Sequence, residues 1–197
     1  MSKYNINNSY KAVVIGGSAG SFQGVVKILS QLPKSFPIPI IMCLHRLKHV
    51  RNGFVEALSI KSVVQVTEPH DKESIKKGSV YLAPANYHMS VELGNYFALS
   101  TEEMVNNSRP AIDITLSTCA FVYKEKLIGI LLSGANRDGA AGMKAIHDRG
   151  GFTIVQEPSE CMIDTMPKAA MAATKIDHVM KVDQIVDFLK ELDKQYR

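Results

Sequence analysis

A serine, a histidine and an aspartate, far apart in the chain, have the side-chain types that acyl-transfer chemistry requires. Ser18 stands in Gly16-Gly17-Ser18-Ala19-Gly20, a G-x-S-x-G turn that follows the apolar run Ala12-Val13-Val14-Ile15. Such a turn bends sharply from strand to helix and exposes the serine hydroxyl at the carboxyl edge of a sheet. It also aims helix N–H groups at whatever the serine attacks. A serine hydroxyl is a poor nucleophile until a base removes its proton. His45, which ends a second apolar run, is the candidate base, because imidazole titrates near neutrality. Asp138, in Ser133-Gly134-Ala135-Asn136-Arg137-Asp138-Gly139, is the candidate carboxylate that fixes the imidazole tautomer and steadies the imidazolium. Taken singly, each residue has a plainer explanation: Ser18 as a helix cap, His45 as a polar strand end, Asp138-Gly139 as a turn pair.

The elements that must position these residues follow from hydrophobic periodicity. Strands are predicted at residues 12–15, 39–44, 63–67, 127–132, 152–156 and 179–180. Helices are predicted after the serine turn and over 53–58, 111–123, 140–149, 167–173 and 183–192. Residues 80–83, 88–92 and 96–100 read as three short strands of an antiparallel insertion, with Gly94-Asn95 at a hairpin tip. Alternating strands and helices imply an α/β fold: a three-layer, doubly wound, mainly parallel sheet with helices on both faces and an inserted antiparallel hairpin. In such sheets ligands sit at the carboxyl ends of the strands, near the switch point. Ser18, His45 and Asp138 each fall just past a predicted strand end.

Composition narrows the function classes. The 197 residues, 46% hydrophobic, suit one domain over 1–197 with a polar N-terminal extension over 1–10. The net charge is only +4, there is no tryptophan, and no basic run alternates with aromatics, which argues against nucleic acid. No apolar segment is long enough to insert into a membrane, and no signal peptide is visible. Three cysteines without metal-like spacing fit a reduced, cytoplasmic setting with neither disulfide framework nor metal. His49, His70, His147 and His178 lie in polar contexts, and His88, near Asn86, is expected at the surface. A dinucleotide fold would need glycine where Ser18 stands and an acid where the second strand ends in His45. An α/β-hydrolase would run Ser, Asp, His, whereas the order here is Ser, His, Asp. No cofactor is implied.

Several separate motifs, in order, make the chain resemble the catalytic domain of the chemotaxis receptor protein-glutamate methylesterases (CheB type), from about Lys11 to Val182. They are the serine turn, Leu44-His45, Gly78-Ser79-Val80-Tyr81-Leu82-Ala83-Pro84, Ser108-Arg109-Pro110-Ala111-Ile112-Asp113, and residues 132–142. Gly150-Gly151 with Thr153-Ile154, and Met166-Pro167-Lys168-Ala169-Ala170, complete the set. The resemblance implies Ser18 as nucleophile, His45 as base and Asp138 as orienting carboxylate, with Ala19, Ala135 and Arg109 facing the oxyanion or substrate. It implies hydrolysis of γ-glutamyl methyl esters on cytoplasmic helices of chemoreceptors, releasing methanol, and deamidation of some glutamines there.

The departures from the family pattern bear on substrate identity. Ala19-Gly20-Ser21 replaces Thr-Gly-Gly, Arg46 follows the base where the family has Met, Ala135 replaces Met, and Ser108 replaces a histidine. Arg46, Lys48, His49 and Arg51 form a basic rim expected to be solvated, with docking to acidic receptor helices as its functional reading. Too little chain precedes the first strand for the family's receiver domain, so control is expected to be absent or to come from a separate response-regulator protein. Two alternatives stay open: a non-catalytic binding module of the same fold, and an esterase or amidase for another substrate.

Overall fold

The computed structural model describes residues 10–46 and 53–196. A parallel sheet forms the middle layer, its seven strands in the order β3-β4-β2-β1-β7-β8-β9. These are β1 (Ala12–Gly17), β2 (Ile40–Leu44), β3 (Val66–Thr67), β4 (Val80–Leu82), β7 (Leu127–Leu131), β8 (Phe152–Gln156) and β9 (His178–Met180). Strands β5 (His88–Glu92) and β6 (Tyr96–Ser100) pair with each other, antiparallel, in a separate two-stranded sheet. The helices are α1 (Phe22–Gln31), α2 (Phe54–Lys61), α3 (Ile112–Tyr123), α4 (Ala140–Asp148), α5 (Thr165–Ala173) and α6 (Val182–Gln195). None of the helices among the described residues is long and apolar enough to cross a membrane.

Both faces of the sheet are buried, so the central strands are apolar throughout and divide their side chains by parity. Val13, Ile15, Ile40, Met42, Ile128 and Ile130 pack on one side against α1, α2 and α6. Val14, Ile41, Cys43, Leu127 and Leu131 pack on the other against α3, α4, α5 and the β5–β6 hairpin. This is the expected three-layer arrangement, with one strand reassigned. Residues 80–82 were expected in the antiparallel insertion, but β4 lies in the parallel sheet, between β2 and β3. Its three residues are all buried, which a strand covered on both faces requires and a half-exposed hairpin strand does not. Only residues 88–100 form the inserted hairpin.

On the second side α3 and α4 approach so closely that only glycine fits between them. A Cβ built on Gly142 would stand 2.5 Å from Leu116 Cβ. Alanine is the better helix former by about 1 kcal/mol, so the sign of a Gly142→Ala change decides which effect wins. The obstacle is a Cβ, with no rotamer that removes it. We therefore expect Gly142→Ala to destabilise the fold by about 2 kcal/mol, read as a lower urea midpoint at unchanged m value. A neutral or raised midpoint would show that the helices can part.

Candidate active site

The sheet runs outward in both directions from β1, whose neighbours are β2 and β7, so the switch point falls beside β1. Gly17 pairs with Leu44 at the last rung of β1 and β2, and His45 N donates to Gly17 O at 3.0 Å. Ser18 and His45 therefore leave the sheet side by side, one strand spacing apart, about 4.8 Å. Asp138 arrives from the loop after β7, on the far side of β1.

Ser18 opens a tight turn. Ser21 donates to Ser18 O through both its main-chain N–H, at 3.0 Å, and its hydroxyl, at 2.7 Å. Gly20, third in the turn, has φ +83°, as a type II turn demands. A Cβ there would also meet Met162 Cβ at 2.6 Å and Ser133 Oγ at 2.8 Å. The α1 N-cap is Ser21, so capping does not explain Ser18. Ser133 fastens the turn to β7: its carbonyl accepts Ser18 N–H at 2.9 Å, and its hydroxyl contacts Ala19 O at 2.9 Å. Ala19 and Ala135 are exposed, and their N–H groups have no acceptor among the described residues.

His45 is nearly buried, with 13% of its side chain exposed, and its Nε2 lies 2.7 Å from Asp138 Oδ2. With the Nε2 proton donated to the carboxylate, Nδ1 is the ring's free acceptor. The Ser18 hydroxyl makes no hydrogen bond among the described residues. Direct side-chain bonding thus joins His45 to Asp138, and the sheet edge supplies the proximity of Ser18 to His45.

Asp138 is fully buried and accepts four hydrogen bonds. Oδ2 takes His45 and the N–H of Ile112 at 2.7 Å; Oδ1 takes the N–H of Asp113 and Asn106 Nδ2, each at 3.0 Å. Two of these donors are the first N–H groups of α3, where the helix dipole favours an anion. Burial pushes the Asp138 carboxyl up, but the bonds from His45, Asp113 N–H, Ile112 N–H and Asn106 outweigh it and hold the group below its ordinary value. Asp113 returns the arrangement. Its Oδ1 accepts Gly139 N–H at 2.9 Å and Gly142 N–H at 2.8 Å, at the start of α4, and its Oδ2 accepts Asn106 Nδ2 at 2.9 Å. Burial and then the neighbouring Asp138 charge raise the Asp113 carboxyl, against these hydrogen bonds.

Two expected surface groups are internal. Arg46 has a side chain only 2% exposed; it pairs with Glu68, donates to Ala83 O at 2.7 Å, and lies over the Phe54 ring. It ties the ends of β2 and β4 together and is no part of a solvated rim. Lys48, His49 and Arg51 lie outside the described residues. His88 is likewise buried, because the hairpin folds over α3: Nε2 meets Glu103 O at 2.9 Å and Nδ1 accepts Ala111 N–H at 3.2 Å. Arg109 lines a cavity of 130 Å³ with His45, Arg46 and Ser108. Its guanidinium is largely spent on Asn86, Thr101 O and Glu102 O. Asn106 was not singled out from sequence. The signal was available: Asn106-Asn107 is a turn-forming pair four residues ahead of Pro110.

Residues 13–189 match the model of the CheB methylesterase family. A Leptospira interrogans protein, provisionally named protein-glutamate methylesterase/protein-glutamine glutaminase, is 40% identical over 94% of this chain and 96% of its own length. The protein-glutamate methylesterase/protein-glutamine glutaminase of Thermotoga maritima is 35% identical over 93% of this chain, and that of Clostridium acetobutylicum 33% over 92%. The chain spans about half the length of these last two, 54% and 52%. The crystal structure of the Thermotoga maritima CheB methylesterase catalytic domain superposes with a TM-score of 0.88 at 34% identity, covering 93% of this chain and 99% of that one.

Asp138→Asn leaves one acceptor oxygen facing four donors, and should lose about 3 kcal/mol of stability at neutral pH. Asp138 is held below its ordinary value in the folded state. Its contribution is therefore complete above the unfolded value, about 3.9, and disappears as pH falls through the lower native value. Denaturation midpoints of the wild type and Asp138→Asn should converge on acidification. A gap that stays constant into strong acid would contradict the assignment of the stabilisation to the ionised carboxylate.

Proposed function

The chain belongs to the CheB methylesterase family, and from that premise we propose that Ser18, His45 and Asp138 hydrolyse γ-glutamyl methyl esters on helices of chemoreceptor-like proteins, in the cytoplasm. The observation that carries the assignment is the His45–Asp138 bond of 2.7 Å at the strand end next to Ser18. It leaves Nδ1 as the nitrogen that takes the Ser18 proton.

In this reading the ester carbonyl rests against Ser18, with its oxygen toward the N–H groups of Ala19 and Ala135. The N–H of Ser18 itself is committed to Ser133 O, so these two exposed main-chain groups are the donors. A donor placed at the developing oxyanion lowers the barrier by about 3 kcal/mol. Because the donors are main chain, Ala19 and Ala135 can stand where the family has larger side chains. Ser18 Oγ bonds to the carbonyl carbon as Nδ1 takes the hydroxyl proton. The tetrahedral species collapses, and methoxide leaves as methanol with the proton from Nδ1. Water then attacks the acyl-serine by the same proton path, and Ser18 is restored with a free γ-carboxylate on the substrate. A glutamine side chain follows the same course with ammonia as the leaving group. The Asp138 carboxylate stays ionised throughout and compensates the imidazolium. The hydroxyl–imidazole contact, open here, closes when substrate excludes water, as catalytic hydrogen bonds commonly do.

Incubation with a receptor-helix peptide carrying a glutamate methyl ester, scored for methanol, tests the proposal. Wild type should release methanol, and Ser18→Ala should reduce turnover by at least about a thousandfold while keeping the wild-type melting profile. A fluorophosphonate should label the wild type and fail to label Ser18→Ala. Absence of both turnover and labelling would make the domain a binding module; turnover of simple esters without preference for the receptor peptide would make it a general esterase. In the active wild type, kcat/KM should fall on acidification, since His45 must be unprotonated to accept the serine proton. A flat profile would remove His45 from the role.

A further inference from the structure

Asn106 occupies the second position of a four-residue turn, Val105 to Ser108. The turn is closed by Val105 N–H to Ser108 O at 3.2 Å and Ser108 N–H to Val105 O at 2.9 Å. Its two central residues, Asn106 and Asn107, have φ +52° and +57°, the left-handed pattern of a type I′ turn. Asparagine tolerates that backbone better than most residues. From there the side-chain amide reaches between two acids: Nδ2 lies 2.9 Å from Asp113 Oδ2 and 3.0 Å from Asp138 Oδ1. An amide nitrogen carries two hydrogens, and here one goes to each carboxylate.

Two carboxylates in one buried site repel, and the usual resolution is that they share a proton. A shared proton would remove the charge that His45 needs opposite its imidazolium. We propose that Asn106 is a positioning residue for hydrolysis: by giving one N–H to each acid, it keeps Asp138 ionised and turned toward His45 while Asp113 caps α4. This rests on the reading of Ser18, His45 and Asp138 as the hydrolytic group. Asn106 touches no reacting atom and acts through Asp138.

The residue type is specific to the task. Serine or threonine has one hydrogen to give, and aspartate has none when ionised. Lysine or arginine would neutralise Asp138 and compete with His45 for it. The other groups facing the acids are fixed: His45 from the end of β2, the N–H groups of Ile112 and Asp113 from α3, and those of Gly139 and Gly142 at α4. Among the described residues, the other titratable or charged neighbours are Cys43 on β2, Arg46 with its partner Glu68, and Arg109 in the cavity wall. None of these changes when Asn106 is replaced.

Asn106→Gly removes both N–H donors and retains the left-handed backbone. Asn106→Asp keeps the shape and puts a third acid against the pair. Each is assayed for kcat and KM on the methyl-ester peptide across pH, and the His45 ring is titrated by NMR, its signal assigned by its loss in His45→Gln. Both variants should lower kcat by about tenfold to a hundredfold with KM little changed, the equivalent of one or two hydrogen bonds to a charged group. Without the bridging amide the acid pair takes up a proton more readily, so the acid limb of kcat/KM, which then reports the ionisation of Asp138, should move to higher pH in both, further in Asn106→Asp, by about one unit. In Asn106→Gly the NMR midpoint of His45 should move the opposite way, to lower pH, because its imidazolium loses the charge of Asp138. An unmoved acid limb together with an unmoved His45 midpoint would overturn the proposal, even if the rate fell in step with a lowered melting temperature. A wild type that hydrolyses no ester would overturn the functional reading alone, and the His45 midpoints would still decide whether Asn106 controls the acid pair.

Discussion

Asp138 and Asp113 cross between two helices in opposite directions. The loop that opens α4 sends its carboxylate to the first N–H groups of α3, and α3 sends one back to the start of α4. Neither helix is capped by the side chain of its own N-cap residue, Ala111 or Gly139. Each therefore depends on the other for acceptors that a helix start must find somewhere. The exchange also fixes the distance between the helices, which Gly142 allows to be short. The acid opposite His45 is thus a structural member of the fold before it is anything else, and its orientation is specified by backbone groups that do not rotate.

The other side of the crevice is built from different material. There the sheet itself sets the spacing, because Ser18 and His45 follow paired residues at the ends of adjacent parallel strands. Ser133 joins the two halves: it lies just past β7, takes the N–H of Ser18, and holds the carbonyl of Ala19. The groups whose position matters to the proposed reaction lie at strand ends or in turns and loops that hydrogen bonds tie to the sheet and helices. The turn after β1 is in turn locked by Ser21 and by the space that Gly20 leaves for Met162. Pre-organisation of this kind is what electrostatic stabilisation of a transition state requires.

The fold was legible in the sequence wherever burial on two faces wrote a continuous apolar run, as at Ala12–Gly17, Ile40–Leu44 and Leu127–Leu131. It was misread at Val80–Leu82. Three apolar residues are too few to show whether one face or two are covered, and the true hairpin strands follow immediately. The strand-end positions of Ser18, His45 and Asp138 came from that same periodicity. What remained hidden was pairing across long separations. Arg46 looked like a solvated charge because the Glu68 and Ala83 that receive it are distant in the chain. Asn106 was overlooked because a turn asparagine and an asparagine bridging two acids look alike until the acids are seen beside it.

His88 joins the two ends of the strap that carries Asn106 and Arg109, meeting Glu103 O on one side and Ala111 N–H on the other. The strap is therefore a ring closed on a single residue of β5. A closed ring has far fewer arrangements to lose on ordering than an open connection of the same length, since the cost of bringing its ends together is met at the hairpin. The precision with which the amide reaches the acid pair is inherited from a buried imidazole two elements away.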